Sequence, residues 1–287
     1  MSSVFAFIVR IEYIFMISIQ FDRPSFAVGT TVTGRIVVNR SSGEKIGIEL
    51  FNLTLTHVTE ITDNKGQKVW QNELLAMVVE VSPPSLFAAE APFNFTPMEY
   101  LQYSSEGEAD GIRVRIRSIV TVSAVTRGEV GQAPEASEEI ILAPREDEEP
   151  VKDVEVVRLP GGCCSSGGRV SIIVSIPSTI LRRKDRVIPI TVDVGQGGGR
   201  RPVKAAAFLT YHLSHEKVFV LSEAGRSDEI SFERRNSVIL PLEIAAQSGW
   251  QGLLPFPGTP HVAALLSVLV WFGDADPIVR TLTVNVV

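Results

Sequence analysis

The sequence has 287 residues, 45% of them hydrophobic and 21% charged, with a formal net charge of -6. That length supports two ordinary domains, each able to bury a core without disulfide or metal support, and the negative balance argues against bulk attraction to nucleic acid. The two cysteines, Cys163 and Cys164, are adjacent. Consecutive Cα atoms lie about 3.8 Å apart, below the usual disulfide range of about 4.4 to 6.8 Å, so a bridge within the chain is disfavoured and a reducing compartment is the simplest fit.

The first twenty residues, MSSVFAFIVRIEYIFMISIQ, are apolar enough to raise a signal peptide. Arg10 and Glu12 interrupt the run, no basic segment precedes it and no small-residue cleavage site follows, so strands are predicted instead. Ile11, Tyr13, Phe15, Ile17 and Ile19 alternate along one face, as a half-buried strand requires and a membrane span does not. The later run from Val262 to Phe272 is also too short to span a bilayer. If the chain is not exported, the sequons at Asn39, Asn52 and Asn94 are chance matches.

The stretch from Phe21 to Val58 sets a pattern that returns from Ile176 to Leu213. In each copy a Pro-containing lead-in reaches a turn, at Gly29-Thr30 or Lys184-Asp185. A period-two strand follows, then a Gly/Ser-rich loop and a second strand ending near His57 or His212, so the stretch reads as the opening hairpin of each half. Val32, Gly34, Ile36 and Val38 face one way, so one side of that strand is core. Farther on, Ile46, Ile48 and Leu50 share one parity and Phe51, Leu53 and Leu55 the other, which means burial on both faces or a shift of register. Asn64 to Gly66 marks a turn before Lys68 to Trp70, a strand runs from Leu74 to Val81, and Pro83-Pro84 ends it. From Ala91 an apolar strand passes into a polar loop reaching Asp110. Ile112 to Ala124 then sets Arg113, Arg115 and Arg117 on one face, and Glu138 to Leu142 makes a short strand. Arg145 to Pro150 is acidic and Pro-terminated, and reads as a linker.

The second half begins with Val154 to Arg158 and the segment LPGGCCSSGG, after which Val170, Ile172, Val174 and Ile176 alternate against serines. Strands are predicted near Lys217 to Leu221, Glu229 to Glu233, Val238 to Ile244, Val262 to Phe272 and Ile278 to Val287. No segment of ten or more residues carries a helical period. The predicted fold is all-β, two tandem immunoglobulin-like antiparallel β-sandwiches at residues 1–148 and 149–287.

Four stretches carry a likeness. FAVGTTVTGRIVV from Phe26 to Val38 resembles the opening signature of an arrestin N-terminal domain. APFNFTPMEYLQYSSEGEADGIRVRIRSIVTVSA resembles that domain's passage from an apolar strand through a Ser-rich loop to an "I-R-Y-x-v" strand. Arg186-Val-Ile-Pro-Ile-Thr-Val-Asp-Val, with LLPFPGTPHVAALLSVLVWFGDADPIVRTLTVNVV at the end, is similar to strands of an arrestin C-terminal domain. The α-arrestins (arrestin-domain-containing proteins) fit best, because they too carry clustered cysteines before the second domain. The resemblance implies a non-enzymatic adaptor, cytoplasmic or peripheral on the plasma membrane or endosomes. It would bind cytoplasmic tails of membrane proteins and link them to sorting or endocytic machinery. A retromer-type sorting-complex subunit is the nearest alternative, and a secreted β-sandwich adhesion protein is the rival from another class. No Pro-Pro-x-Tyr motif is present, since Pro83-Pro84 leads into Ser85-Leu86.

No catalytic or cofactor constellation emerges. Only His212 and His215 among the four histidines are close in sequence, the cysteines lack ligand spacing, and no Gly-x-Ser-x-Gly elbow exists. Gly195 to Gly199 lacks the Gly-Lys-Ser/Thr ending of a phosphate loop and reads as a hairpin-type loop. No cofactor, metal, small-molecule substrate or nucleic-acid partner is expected. Arg113, Arg115 and Arg117, together with Arg182, Arg183 and Lys184, are the candidate contacts for a phosphate, acidic lipid or partner. The plainer reading is a solvated sheet face and loop tips, favoured by Glu106, Glu108 and Asp110 nearby in sequence.

Overall fold

The structure, a computed structural model, describes residues 15–40, 46–98, 101–127, 134–144, 150–159, 168–182, 184–195, 201–216, 218–245, 250, 260–273 and 276–286. Of these, 72% lie in strands and none in a helix, so the chain is all-β and has β-sandwich character. No helix among the described residues is long and apolar enough to cross a membrane.

The first half runs β1 (Phe15–Phe21), β2 (Ser25–Ala27), β3 (Val32–Arg40), β4 (Ile48–Thr62), β5 (Lys68–Val81), β6 (Glu90–Phe95), β7 (Ser105–Ala109), β8 (Ile112–Thr126) and β9 (Glu135–Ala143). The second begins with β10 (Val151–Arg158), β11 (Arg169–Ile176), β12 (Ile180–Leu181), β13 (Val187–Val194) and β14 (Lys204–His215). It ends with β15 (Val218–Arg226), β16 (Ile230–Ser231), β17 (Ser237–Ile244), β18 (His261–Trp271) and β19 (Ile278–Val286). Two compact units result. Unit 1 holds Met1–Val58, Asn72–Ser104 and Arg117–Ala143, and unit 2 holds Thr59–Gln71, Ser105–Ile116 and Pro144–Val287. The expected boundary at residues 148 and 149 lies outside the described residues.

In unit 1 the sheet β1-β3-β6 faces strands β4, β5, β8 and β9 across one core. Period-two alternation supplies it: Phe15, Ile17 and Ile19 from β1 and Val32, Ile36 and Val38 from β3 meet Phe51, Leu53 and Leu55 from β4 and Val120 and Val122 from β8. Gly34 sits where β1 and β6 flank β3. A Cβ there would lie 2.4 Å from the Gln20 carbonyl oxygen and 2.7 Å from the Phe93 ring, so only glycine fits. The two-parity puzzle in β4 resolves as a shift, because burial passes from Ile48 to Phe51 and then alternates through His57.

In unit 2 the strand order is β10-β11-β13-β17-β15-β14-β18-β19-β12, with β16 on β14. Its two halves enclose a second core of Val170, Ile172, Ile190, Leu240, Leu209, Leu266 and their neighbours. They are joined at one corner by Gly225↔Ile244 and Arg226↔Glu243. A side chain on Gly225 would come within 2.5 Å of the Glu243 carbonyl oxygen, which is why the corner carries glycine.

The repeat is topological. The order β1-β3-β6 returns as β11-β13-β17, and β2-β9-β8-β4-β5 returns as β12-β19-β18-β14-β15. Even the odd parallel pair recurs, β2 with β9 and β12 with β19. Two expectations need correction. The repeated stretch is not a hairpin: β3 does not pair with β4, nor β13 with β14. The Gly195 to Gly199 loop therefore leads to a strand that is not a neighbour, and its residues 196–199 lie outside the described residues. A short Gly-rich link between two alternating runs fits either connection, and only the long-range pairs decide. The polar stretch before Asp110 also contains a strand, β7, turned back onto β8 at Asp110-Gly111. β10 is an addition, with no counterpart among the described residues of unit 1.

Candidate functional site

β7 and β8 pair so that Glu106 faces Arg115 and Glu108 faces Arg113. The Arg113 guanidinium lies 3.5 Å from Glu106 and 3.6 Å from Glu108, and Arg115 lies 3.6 Å from Glu106. Each exposed pair is worth only about 0 to 1 kcal/mol. Their effect on binding is larger than on stability, since two of the six expected cations already face carboxylates across a strand. Glu106 and Glu108 are the partners that the loop reading left unplaced. The signal for them was Asp110-Gly111, a two-residue hairpin turn flanked by Glu-x-Glu and Arg-x-Arg. Arg117, on the same strand, is half-buried in unit 1. Arg182 is half-buried after β12, and its carbonyl accepts the Asp185 amide at 2.9 Å. Lys184 is exposed in the same turn, and Arg183 lies outside the described residues, as do Cys163 and Cys164.

His212 and His215 stand three apart on β14 and so project to opposite faces. His215 meets the edge of Trp70 with ring centroids 6.5 Å apart, while His212 shares the outward row of Leu221 and Ala263. Among the described residues no group of three or more His, Cys, Asp or Glu side chains is placed to hold a metal. His57 has a different setting. It is 4% exposed within β4, with Nδ1 3.1 Å from the Ser118 hydroxyl, and Ser118 is itself fully buried. Its Nε2 is buried without a hydrogen-bond partner. Burial pushes the imidazole pKa down to about 4, so the ring is neutral at physiological pH.

Among the described residues β10 is the edge of the unit 2 sheet, bonded only to β11. Its inward residues include two acids, Asp153 and Glu155, on the face of Val174 and Ile172. Both meet the guanidinium of Arg280 from β19, with Arg280 Nε donating to Asp153 at 3.2 Å. Arg280 is the most enclosed of the three. With this register fixed, Val154 and Val156 point outward and are 59% and 62% exposed. Each forgoes most of the about 1.5 kcal/mol that full burial of a valine would contribute. The same outward face carries Lys152 and Arg158, with Arg169 and Ile173 beside them on β11. Lys152, Arg158 and Arg169 are exposed and form no ion pair among the described residues. The result is an apolar strip between cationic ends on an open edge. Neither a protein-family model nor a curated protein sequence matches the chain.

Proposed function

We propose that this chain is a non-enzymatic, arrestin-like adaptor that binds cytoplasmic tails of membrane proteins and links them to sorting or endocytic machinery. In this reading the two units are the N- and C-terminal immunoglobulin-like sandwiches of that family, working in the cytoplasm or on the inner surface of the plasma membrane or endosomes. The observation that carries it is the repeated strand order, parallel pair included, around two separate cores. It places the repeated sequence motifs on equivalent strands, β3 and β13. A scaffold of this kind works through its surfaces and sheet edges, where an extended segment gains main-chain hydrogen bonds and alternate side chains give selectivity.

The test is capture by the purified chain of a panel of cytoplasmic tails, followed by capture from lysate scored for ubiquitin ligases against retromer-type subunits. Saturable binding of tails with one of those machineries is expected. Binding of neither refutes the adaptor reading. Glycans on Asn39, Asn52 or Asn94 of protein from its native source would transfer the chain to the secreted class instead.

A further inference from the structure

We propose that β10 is a docking edge for an extended peptide whose outward side chains run acidic, apolar, apolar, acidic at every second position. This rests on the adaptor reading and names the chemistry of a partner segment. Three observations converge on β10. Among the described residues it is the strand that unit 2 adds to the shared topology. Its register turns two acids inward onto Arg280 and leaves two valines outward and mostly exposed. Its outward face is flanked by Lys152, Arg158 and Arg169, and no acid stands on that face of β10 or β11. The nearest anion on the row is Asp193 of β13, opposite Ile173.

A strand added beside β10 places its side chains opposite those of β10 on each face. Residues facing Val154 and Val156 must then be apolar, and residues facing Lys152 and Arg158 must be acidic. That pattern reads the same in both directions, so it holds for parallel and antiparallel addition. Covering the valines restores the apolar burial they forgo, and main-chain bonds fill the open edge. A second copy of the chain fits less well. The antiparallel register that sets Val154 on Val156 also sets Lys152 against Arg158 at both ends.

The probe is the heptapeptide Glu-Thr-Val-Thr-Val-Thr-Glu, with Lys-Thr-Val-Thr-Val-Thr-Lys as control, read by amide NMR shifts and fluorescence anisotropy on the whole chain. The acidic peptide is expected to shift β10 amides and to bind at least about tenfold more tightly than the control at low salt. Lys152→Glu with Arg158→Glu should invert that preference, and Val154→Glu with Val156→Glu should abolish binding. Because all four side chains are exposed, circular dichroism should be unchanged in both variants. Equal binding of the two peptides, shifts confined to other strands, or a wild-type dimer dissolved by the valine changes would each overturn the proposal. Capture of membrane-protein tails that persists when β10 binds nothing leaves the adaptor reading standing and removes this one. Heptapeptide binding at β10 without capture of any tail does the reverse.

Discussion

Acid should weaken unit 1 through one side chain, His57. Its folded pKa of about 4 lies below the ordinary value of 6.5 because burial penalises the charged ring. Between those values the unfolded chain binds a proton that the folded chain refuses, so falling pH favours unfolding. Above about pH 6.5 the histidine contributes nothing to the pH dependence, and below about pH 4 its cost levels off at about 3 kcal/mol. From pH 7 to pH 5 the loss is about 2 kcal/mol, enough to change the unfolded population about thirtyfold. All three tryptophans, Trp70, Trp250 and Trp271, fall in unit 2, so fluorescence would miss the effect. The measurement is amide hydrogen exchange on β4 and β8 at both pH values, for the wild type and for His57→Gln, with NMR titration of the imidazole alongside. Wild-type protection should fall by the stated amount beyond any fall in the variant. The reasoning fails if His57 titrates at or above pH 6, or if both proteins lose equal protection.

Three further perturbations follow from named contacts. Gly34→Ala must displace the Gln20 carbonyl or the Phe93 ring, and should cost unit 1 about 2 to 3 kcal/mol in denaturant unfolding followed by exchange on β3. A neutral outcome would mean that β1 and β6 do not flank β3 this closely. Arg280→Ala leaves Asp153 and Glu155 unpaired on the core face of β10, so exchange protection there should drop about tenfold or more. Lys at 280 should recover only part of it, lacking a planar fork to serve two carboxylates. Finally, Glu233 and Arg234 hold φ of 43° and 71° in the turn that Arg235 N closes on Phe232 O at 2.6 Å. Replacing them with Asn-Gly should raise the midpoint of thermal unfolding, by relief of about 1 kcal/mol of left-handed strain, and an unchanged midpoint counts against that turn geometry.

The elements that period-two alternation governs were legible in the sequence, β3 and β13 above all, because a buried face leaves its mark at every second residue. Pairing was not. The hairpin assigned to the repeat fails because β3 takes β1 and β6 as partners and β13 takes β11 and β17, while β4 and β14 pair forward with β5 and β15 and across with β8 and β18, and the alternation of the repeat does not encode that choice. His57 was legible in part: it continues the parity of Phe51, Leu53 and Leu55, but its hydrogen-bond partner Ser118 comes 61 residues later.

β10 is where local reading is weakest and its consequence greatest. Val151 and Val157 occupy one parity and Val154 and Val156 the other, so alternation alone assigns neither face to the core. The choice is made by Arg280, 127 residues beyond Asp153, whose guanidinium needs the two acids on its own side. A one-residue slip would trade Val151 and Val157 for Val154 and Val156 on the core face, turn both carboxylates away from Arg280 and carry Lys152 and Arg158 inward beside the stranded cation. The ion network thus decides between two registers that bury two valines each, and its choice leaves Val154 and Val156 outward, available to a partner strand.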